Sequence, residues 1–418
     1  MTKSEVGLAL TDVLEFKALP AQVRLRPSPI LNMKLFHPNV IFVERRARDY
    51  PMTREILRPL SEIPVREIDS HQNLASQEFG VNRRIANEKR SLILAVKEGE
   101  LVKQVERDLF RSTPNEYYII HSLGCPFDCE YCFLYDYLDH QRPTVFVNLP
   151  DILKRIEEII NASSPMSFWK NPFSHEDDLE LKKDSSGMTD SDEEIQSLAP
   201  PLSPSPSLFF HAGEFSDALA YDHLTNLSQP LVELFAKHQH ARLEMRTKSD
   251  YIDNLIGLNH NGQTVISWTF NPQEVAARIE HQTASLDERI HAAQKVQAAG
   301  YWVGLRFDPI VWYPEWQTGY KAMIKKIFTA LDSKKISDIS LGMFRATPGL
   351  RRVIQHRLRH SWLLAGEMIQ CEDKKYRYFK PIRLEMYRAI LGWIREFAPE
   401  VKVELCMEAP EVEEKIKR

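Results

Sequence analysis

The sequence predicts an α/β protein whose centre is a parallel barrel of about six strand–helix units, closed or incomplete. Two observations carry this prediction. From Tyr117 onward, short segments rich in β-branched residues alternate with segments of helical length and periodicity, which is typical of parallel βαβ units. Polar residues and glycines follow directly after these segments, at the strand ends where α/β barrels carry their sites. An N-terminal α/β segment and a C-terminal cap complete the predicted architecture.

The N-terminal segment is predicted to span residues 1–115. The stretches "NVIFVERRA" and "SLILAVKEG" are rich in Val, Ile and Leu and end in charge or Gly, so they predict short strands. The stretch "PMTREILRPLSEI" predicts a helix between them. The segment is therefore expected to precede the barrel as an appended α/β unit.

The barrel is predicted to span residues 116–345. Its expected strands are "EYYIIHSLG", "SLFFHAGEFSD", "ARLEMRTKSD", "QTVISWTFNP", "YWVGLRFDPIV" and "ISDISLGMF". Its expected helices are "PDILKRIEEIINAS", "LSQPLVELFAKHQ", "LDERIHAAQKVQAAG", with Gly300 just past its end, and "QTGYKAMIKKIFTALD". Residues 170–207 are acidic and rich in Ser and Pro, a composition that predicts a disordered insertion.

Charge and cysteine content restrict the class of protein. The net charge of −4 gives no global basic field for binding nucleic acid. Five cysteines, three of them clustered, do not form a disulfide framework. The chain opens without a signal peptide and has no run of about 18 apolar residues. These features predict a cytoplasmic protein without a membrane segment, in which clustered thiols bind metal or catalyse.

Three cysteines, Cys125, Cys129 and Cys132, lie within eight positions in "LGCPFDCEYCFLYDYL". The spacing Cys-x3-Cys-x2-Cys puts three thiolates in one tight turn. Three thiolates suit a [4Fe–4S] cluster that leaves one iron open. An open iron binds the amino and carboxylate groups of S-adenosylmethionine, and one electron then cleaves the S–C bond to give a 5′-deoxyadenosyl radical.

A zinc site is the alternative interpretation of these cysteines. Structural zinc takes four ligands, and the other two cysteines, Cys371 and Cys406, lie in another region of the chain. His121 and His140 are close in sequence and would complete a zinc site. The missing fourth thiol favours the cluster, and zinc stays open as the alternative.

The C-terminal cap is predicted to span residues 346–418, with two helices and a final strand, "KVELCME". The stretches "RATPGLRRVIQHRLRHSW" and "KKYRYFKPIR" combine basic and aromatic residues. Basic residues bind phosphates and aromatic residues stack on exposed bases, so this cap is a predicted DNA-facing surface. The alternative is an ordinary solvated helix face.

Motifs beyond the cysteines resemble the radical S-adenosylmethionine superfamily and, within it, the spore photoproduct lyase-like family. The matching stretches are "GCPFDCEYCFL", "AGEFSDALAYDHLT", "RTKSDYIDNLI", "NGQTVISWTFNP", "ERIHAAQKVQAAGYWVGLRFDPIVWYPEWQTGY" and "LCMEAPEV". They cover most of the chain from Tyr117 onward, in the family's order. The resemblance implies a partial (β/α)6 barrel of the TIM type, with the cluster on the loop after its first strand.

The resemblance also implies contacts to S-adenosylmethionine. The matching positions are Phe133, Gly213, Glu214, Ser216, Lys248 and Asn271. Glu214 belongs to a Gly-Glu motif whose carboxylate meets the methionine ammonium, a group with three donors. Lys248 suits the methionine carboxylate, and Asn271 is expected to bind the ribose or carboxylate. Phe133 is expected to offer its backbone near the adenine.

Two positions depart from the family's lyases, which split a methylene-bridged thymine dimer. In those enzymes a cysteine returns a hydrogen to the product radical, and Glu214 stands at its position here. A carboxylate that is ionised at neutral pH does not replace a thiol as hydrogen donor. Phe133 stands where the lyases have a tyrosine. Cys406 is therefore the predicted catalytic hydrogen donor and Tyr131 a weaker one; the alternative for Cys406 is a small buried hydrophobic residue.

The predicted function is that of a radical S-adenosylmethionine iron–sulfur enzyme, lyase-like, acting on a DNA lesion. Its implied partners are DNA and a reductant such as flavodoxin or ferredoxin. Two alternatives stay open. One is radical modification of a protein or small molecule, and the other is a non-enzymatic, zinc-containing nucleic-acid-binding protein.

Overall fold

The computed structural model describes residues 35–74, 81–105, 115–163, 207–358 and 361–417. The predicted insertion at 170–207 lies outside these ranges apart from its last residue. The strands are β1 Val40–Glu44, β2 Val65–Ile68, β3 Ser91–Ala95, β4 Val102–Gln104, β5 Glu116–Ile119, β6 Ser122–Leu123, β7 Asp128–Cys129, β8 Thr144–Phe146, β9 Leu208–Ala212, β10 Ala241–Thr247, β11 Thr264–Thr269, β12 Glu280–His281, β13 Trp302–Ile310, β14 Ile336–Met343, β15 Arg345–Ala346, β16 Met368–Gln370, β17 Tyr376–Tyr378 and β18 Val403–Leu405.

The helices alternate with the strands over most of the chain. They are α1 Pro51–Leu57, α2 Val81–Glu88, α3 Leu134–Tyr137, α4 Leu149–Ala162, α5 Asp222–Thr225, α6 Ser228–Phe235, α7 Gln273–Ile279, α8 Leu286–Ala298, α9 Trp316–Ala330, α10 Pro348–Arg357, α11 Lys380–Phe397 and α12 Pro410–Lys417. None of the described helices combines the length and the apolar character that crossing a bilayer requires.

A central sheet of eight strands forms the core of the protein. Its order is β18-β14-β13-β11-β10-β9-β5-β4, and every neighbouring pair is parallel except β4 with β5. The six strands predicted for the partial barrel are β5, β9, β10, β11, β13 and β14, in the predicted order, which confirms the fold class. The final strand, predicted as part of the cap, extends this sheet as β18.

The helices between these strands form where the sequence supplies a cap and an apolar face. Ser285 precedes α8 and forms a capping box with Glu288, which satisfies two backbone N–H groups at the helix start. Gly300 follows α8 with φ of +95°, the left-handed conformation predicted for it. Ile290 and Val296 are buried on the face that packs against the sheet. Helix α7 was not predicted from the sequence.

A second sheet, ordered β2-β1-β3-β8-β6, contains the first three strands of the predicted N-terminal segment. Its strands β6 and β8 come from residues beyond the predicted boundary at 115, whereas β4, from the N-terminal segment, joins the central sheet. Each sheet therefore contains strands from both sides of that boundary. The polypeptide between β6 and β8 carries the three clustered cysteines, so this sheet supports the cysteine loop directly.

The C-terminal region adds a small antiparallel sheet, ordered β15-β17-β16, and the long helix α11. Helix α11 packs on α9 through ring contacts, with Phe328 stacked on Phe397 at 5.6 Å between ring centres. Tyr313 and Trp316 are buried in the core. They follow β13 and pack internally, as expected of core aromatic residues.

Candidate active site

The three clustered cysteines lie on the loop that follows β5 and β6. Gly124 opens this loop with φ of +72°, and a Cβ there would lie 2.9 Å from the Arg142 carbonyl oxygen, so the position requires glycine. Cys125 and Cys132 are partly exposed and Cys129 is buried. The loop therefore presents its sulfur atoms at the carboxyl edge of the first parallel strand.

The electrostatics of the loop disfavour free thiolates. Burial raises the pKa of Cys125 well above its usual range, and the pKa of Cys129 to about 12. Lys248 lowers the pKa of Cys129. Thiols with a raised pKa, such as Cys125 and Cys129, become thiolates more readily when a cationic metal binds them, and a cluster would supply that metal.

The cysteine loop does not have the geometry of a site for a single metal ion. In the described residues, no group of three or more His, Cys, Asp or Glu side chains is arranged around one ion. In a four-iron cluster each cysteine binds a different iron, so the sulfur atoms stand farther apart than the ligands of one zinc ion. Both ring nitrogens of His140 are already engaged, with the His71 carbonyl at 3.0 Å and the Arg142 N–H at 3.2 Å. His121 Nε2, in contrast, is buried without a hydrogen-bond partner. Three thiols without a fourth cysteine nearby still fit a cluster better than zinc.

The loop after β9 contacts the cysteine loop. Gly213 has φ of +98°, and a Cβ there would lie 2.5 Å from the Arg246 carbonyl oxygen, so only glycine fits. The Gly124 N–H donates to the Phe215 carbonyl at 2.9 Å. The Ser216 and Ser122 hydroxyls lie 2.5 Å apart. The structure thus places the predicted Gly-Glu motif against the predicted cluster loop.

Glu214 has a protein partner that the sequence did not predict. Arg246, in β10, donates through Nη1 to the Glu214 carboxylate at 2.8 Å. Arg246 also donates to Glu244 at 2.9 Å, and His211 Nδ1 lies 2.6 Å from that same carboxylate. Although burial opposes its charge, Arg246 and Arg306 hold the pKa of Glu244 well below its usual range. Glu214 is therefore a carboxylate oriented by Arg246 at the edge of a buried charge network.

Asp217 is a site residue that sequence reasoning missed. Its buried carboxylate accepts hydrogen bonds from the backbone of Leu219 and Ala220, from the Thr247 hydroxyl at 2.7 Å and from the Lys248 N–H at 2.7 Å. These bonds tie the loop after β9 to the loop after β10. An Asp next to a turn, in "FSDAL", was the available signal for a side chain that accepts backbone N–H bonds.

Lys248 points its ammonium toward the cysteine loop. Its Nζ lies 5.5 Å from the centre of the Tyr131 ring. Burial opposes its charge, but the neighbouring Cys129 and Glu280 groups raise the pKa of Lys248 above its usual range. Lys248 is therefore a charged cation beside the cluster loop, as a carboxylate ligand of S-adenosylmethionine requires.

Beneath the cysteine loop lies a buried ion pair that sequence reasoning also missed. Glu280 and Arg289 approach to 2.6 Å with both side chains fully buried. Glu280 in β12 pairs in register with Cys129 in β7, and its carboxylate accepts the Tyr131 hydroxyl. Asn271 Nδ2 donates to the same carboxylate at 2.8 Å. No local sequence pattern links these positions.

Asn271 and Tyr131 are thus engaged by the protein itself. The Asn271 amide oxygen accepts the Tyr320 hydroxyl at 3.1 Å, and its nitrogen bonds Glu280. Its contact with a bound ligand stays a prediction. Burial raises the pKa of Tyr131 well above its usual range, which fits a phenol held as a hydrogen-bond donor to Glu280.

Phe133, directly after the last cluster cysteine, is 41% exposed. Its ring contacts that of Tyr137, and Tyr137 stacks on Phe215 with 5.5 Å between ring centres. Tyr137 is 57% exposed. An aromatic rim therefore borders the cysteine loop. The Phe133 carbonyl already accepts the N–H groups of Asp136 and Tyr137, so the adenine contact of its backbone stays a prediction.

Cys406 lies directly after β18, at the carboxyl edge of the central sheet. Its N–H donates to the Leu341 carbonyl at 2.7 Å, and the residue is partly exposed. Arg345 Nη2 lies 3.6 Å from Cys406 Sγ and pairs with the Asp308 carboxylate at 3.2 Å. The surroundings are charged, which is not the environment of a small buried hydrophobic residue. The sheet edge that carries the cysteine loop therefore also carries this thiol.

The basic stretches of the cap are less exposed than predicted. Ion pairs with acidic side chains engage four of their arginines, namely Arg345 with Asp308, Arg357 with Asp128, Arg377 with Asp373 and Arg383 with Glu408. These four arginines are therefore held by acidic partners inside the protein, and their phosphate-binding role stays a prediction. Arg352, His356, Lys374 and Phe379 remain exposed among the described residues.

The fold and the site together define a class of protein. A partial parallel barrel with three cysteines after its first strand, and with an oriented Glu and Lys at the next strand ends, is the architecture of a radical S-adenosylmethionine enzyme. The family model "Spore photoproduct lyase" matches residues 36–171 and 201–405. The chain belongs to the spore photoproduct lyase family. The match is interrupted within the predicted acidic insertion.

Individual relatives and structures agree with this assignment. Spore photoproduct lyase of Geobacillus sp. (strain Y412MC61) is 25% identical over 388 residues, covering 89% of this chain and 99% of the relative. The Bacillus subtilis (strain 168) lyase is 26% identical, covering 88% and 98%. A solved lyase complexed with dinucleoside spore photoproduct has a TM-score of 0.71 at 25% identity, covering 89% of this chain and 99% of that chain. A substituted lyase with bound AdoMet and dinucleoside spore photoproduct has a TM-score of 0.70, covering 88% and 98%.

Proposed function

We propose that this protein is a radical S-adenosylmethionine lyase that acts on a thymine lesion of the spore photoproduct type in DNA. The observation that carries the proposal is the convergence of the cysteine loop with the loops after β9 and β10, through Ser122–Ser216 and Lys248–Tyr131. Relatives that cover nearly the whole chain are spore photoproduct lyases, and one solved relative holds both AdoMet and the lesion.

Different residues of the chain bind the cluster and S-adenosylmethionine. Cys125, Cys129 and Cys132 hold a [4Fe–4S] cluster, which when bound supplies the electron that cleaves S-adenosylmethionine. Glu214 and Lys248 carry opposite charges beside that loop, and they suit the ammonium and the carboxylate of the methionine moiety. Gly213 and Ser216 shape the loop that holds Glu214. Asn271 orients the Glu280 carboxylate. Phe133 offers its backbone to the adenine.

Cys406 is the proposed hydrogen donor to the product radical. Its S–H bond breaks, a C–H bond forms on the thymine, and a thiyl radical remains. One electron from a low-potential reductant such as flavodoxin or ferredoxin, together with one proton from solvent, restores the thiol. The support is its position beside Arg345 and Asp308 at the carboxyl edge of the sheet.

The proposal is tested by measuring 5′-deoxyadenosine and thymine products. Protein reconstituted anaerobically with iron and sulfide receives S-adenosylmethionine and dithionite, with and without ultraviolet-irradiated spore-type DNA. We expect brown protein, 5′-deoxyadenosine formation, and repaired thymine only with irradiated DNA. If S-adenosylmethionine is cleaved at the same rate with and without irradiated DNA, the substrate is a protein or a small molecule instead of DNA. Colourless protein that binds zinc would overturn the radical chemistry.

DNA binding by the cap is a separate expectation. Exposed Arg352 and Lys374 are available for phosphates, and each phosphate contact adds about 0.9 to the slope of log affinity against log salt. We expect affinity for duplex DNA to fall with salt, and Arg352→Glu/Lys374→Glu to weaken binding and flatten this slope. Lys154→Glu, an exposed change on α4, is the control. Equal binding by both variants, or no binding of the wild type at low salt, would contradict the cap surface.

A further inference from the structure

Lys89, from the N-terminal segment, contacts the cysteine loop directly. It follows α2, is 4% exposed, and donates from Nζ to the Cys125 carbonyl at 3.0 Å and to the Phe127 carbonyl at 2.6 Å. Its ammonium also lies 5.1 Å from the centre of the Tyr135 ring. This lysine therefore fixes the backbone on both sides of Pro126, in the first turn of the cysteine loop.

Lys89 forms no direct ion pair with a carboxylate of the described residues, although its charge also acts on the Asp128 carboxylate. A buried cation without a partner is costly, and carbonyl dipoles and an aromatic ring offset only part of that cost. Its ammonium is held against the backbone of Cys125 itself, next to one of the three proposed ligands.

Arg357 approaches the same loop from the C-terminal cap and provides a contrast. Its guanidinium pairs with Asp128 at 2.6 Å and lies 5.1 Å from the Tyr135 ring centre. The Arg357–Asp128 pair is close to neutral as a unit, so it fixes the loop without adding net charge. Lys89 adds both a fixed geometry and a net positive charge.

We propose that Lys89 is a positioning residue that orders the cysteine loop and favours the reduced state of the site. The inference rests on the proposed cluster. One added electron makes the site more negative, and a fixed positive charge in a low-dielectric interior stabilises that state. The N-terminal segment thus contributes to electron uptake, a role beyond that of an appended domain.

The test compares Lys89→Met, Lys89→Arg and Lys97→Met. Lys97 belongs to the same segment, but its ammonium donates to the Glu98 carbonyl instead of to the cysteine loop. Each reconstituted variant is assayed for iron and sulfide and then titrated potentiometrically, with the electron paramagnetic resonance signal of the reduced protein as the readout and without S-adenosylmethionine. For Lys89→Met we expect the reduced-to-oxidised ratio at the wild-type midpoint to fall about tenfold, which corresponds to about 59 mV for one electron.

The conservative variant separates charge from packing. Lys89→Arg keeps the charge and the donors, so it is expected to retain most of the wild-type potential, as is Lys97→Met. Lys89→Gln, which keeps a donor without charge, replaces Lys89→Met if that variant retains no iron. An unchanged potential in the neutral variants, or equal shifts in Lys89→Arg and Lys89→Met, would overturn the proposal. Failure of the wild type itself to bind iron and sulfide would instead remove the proposed function.

Discussion

Replacing Cys406 with alanine is expected to lower the yield of repaired thymine per 5′-deoxyadenosine by about 100-fold, equivalent to about 2.7 kcal/mol in the barrier for hydrogen return. Cleavage of S-adenosylmethionine is expected to continue, because Cys406 lies after β18 whereas the predicted cluster ligands lie after β5. The measurement is the ratio of the two products in one anaerobic assay with irradiated DNA.

Hydrogen exchange gives this prediction a second readout. A thiol exchanges its hydrogen with solvent, so wild-type protein in D2O is expected to place deuterium in the repaired thymine. Cys406→Ala is expected to lose that label along with the product. Cys371→Ala is the matched control, because Cys371 is also a partly exposed free cysteine, in the connection between β16 and β17. If Cys406→Ala still forms deuterium-labelled thymine at the wild-type ratio to 5′-deoxyadenosine, another group donates the hydrogen.

The neighbours of Cys406 explain why this thiol suits the task. Arg345 donates toward its sulfur, and Asp308 pairs with Arg345, so the thiol is held at a fixed position on the sheet edge. Although burial opposes the charge, Arg345 lowers the pKa of Asp308 below its usual range. The carboxylate therefore stays ionised at neutral pH and continues to hold Arg345.

The fold and the grouping of the three cysteines on one loop could be predicted because their signals are local in the sequence. Each barrel strand is a short run rich in β-branched residues that ends in Gly or polar residues. The spacing of the three cysteines is enough to predict that they act together. The glycines at 124 and 213 mark backbone with positive φ next to another chain segment, which a loop sequence can suggest. The predicted contacts to S-adenosylmethionine came from the resemblance to a family, because the spacing of the cysteines does not indicate them.

The supporting contacts could not be predicted because they join positions far apart in the chain. Arg357 reaches Asp128 across 229 positions, and Tyr131 reaches Glu280 across 149. A basic run in the sequence does not reveal which of its charges have such partners, so the cap was predicted to be more exposed than it is.

Arg289→Met is expected to destabilise the protein by about 3–5 kcal/mol at neutral pH, because it leaves the buried Glu280 carboxylate without its partner. Both side chains of this pair are fully buried. The measurement is the free energy of unfolding in denaturant, together with iron retention, since Glu280 also supports Tyr131 beneath the cysteine loop. Lys326→Met is the control: its pair with Asp287 is about half exposed on both sides, so a loss of at most about 1 kcal/mol is expected.

The pH dependence of this variant distinguishes lost charge pairing from lost packing. In the wild type, burial would raise the pKa of Glu280, but Arg289 and Lys248 lower it below its usual range. The Glu280–Arg289 pair therefore stabilises the fold at pH values above the pKa of Glu280 in the unfolded chain. This stabilisation is lost as the pH falls through the lower pKa of Glu280 in the folded protein. Without Arg289, burial dominates and the folded pKa rises, so Arg289→Met should regain stability as the pH falls from 8 toward about 5. Glu280→Gln combined with Arg289→Met should remove this pH dependence; a deficit that is the same at every pH would mean that Arg289 acts by filling space.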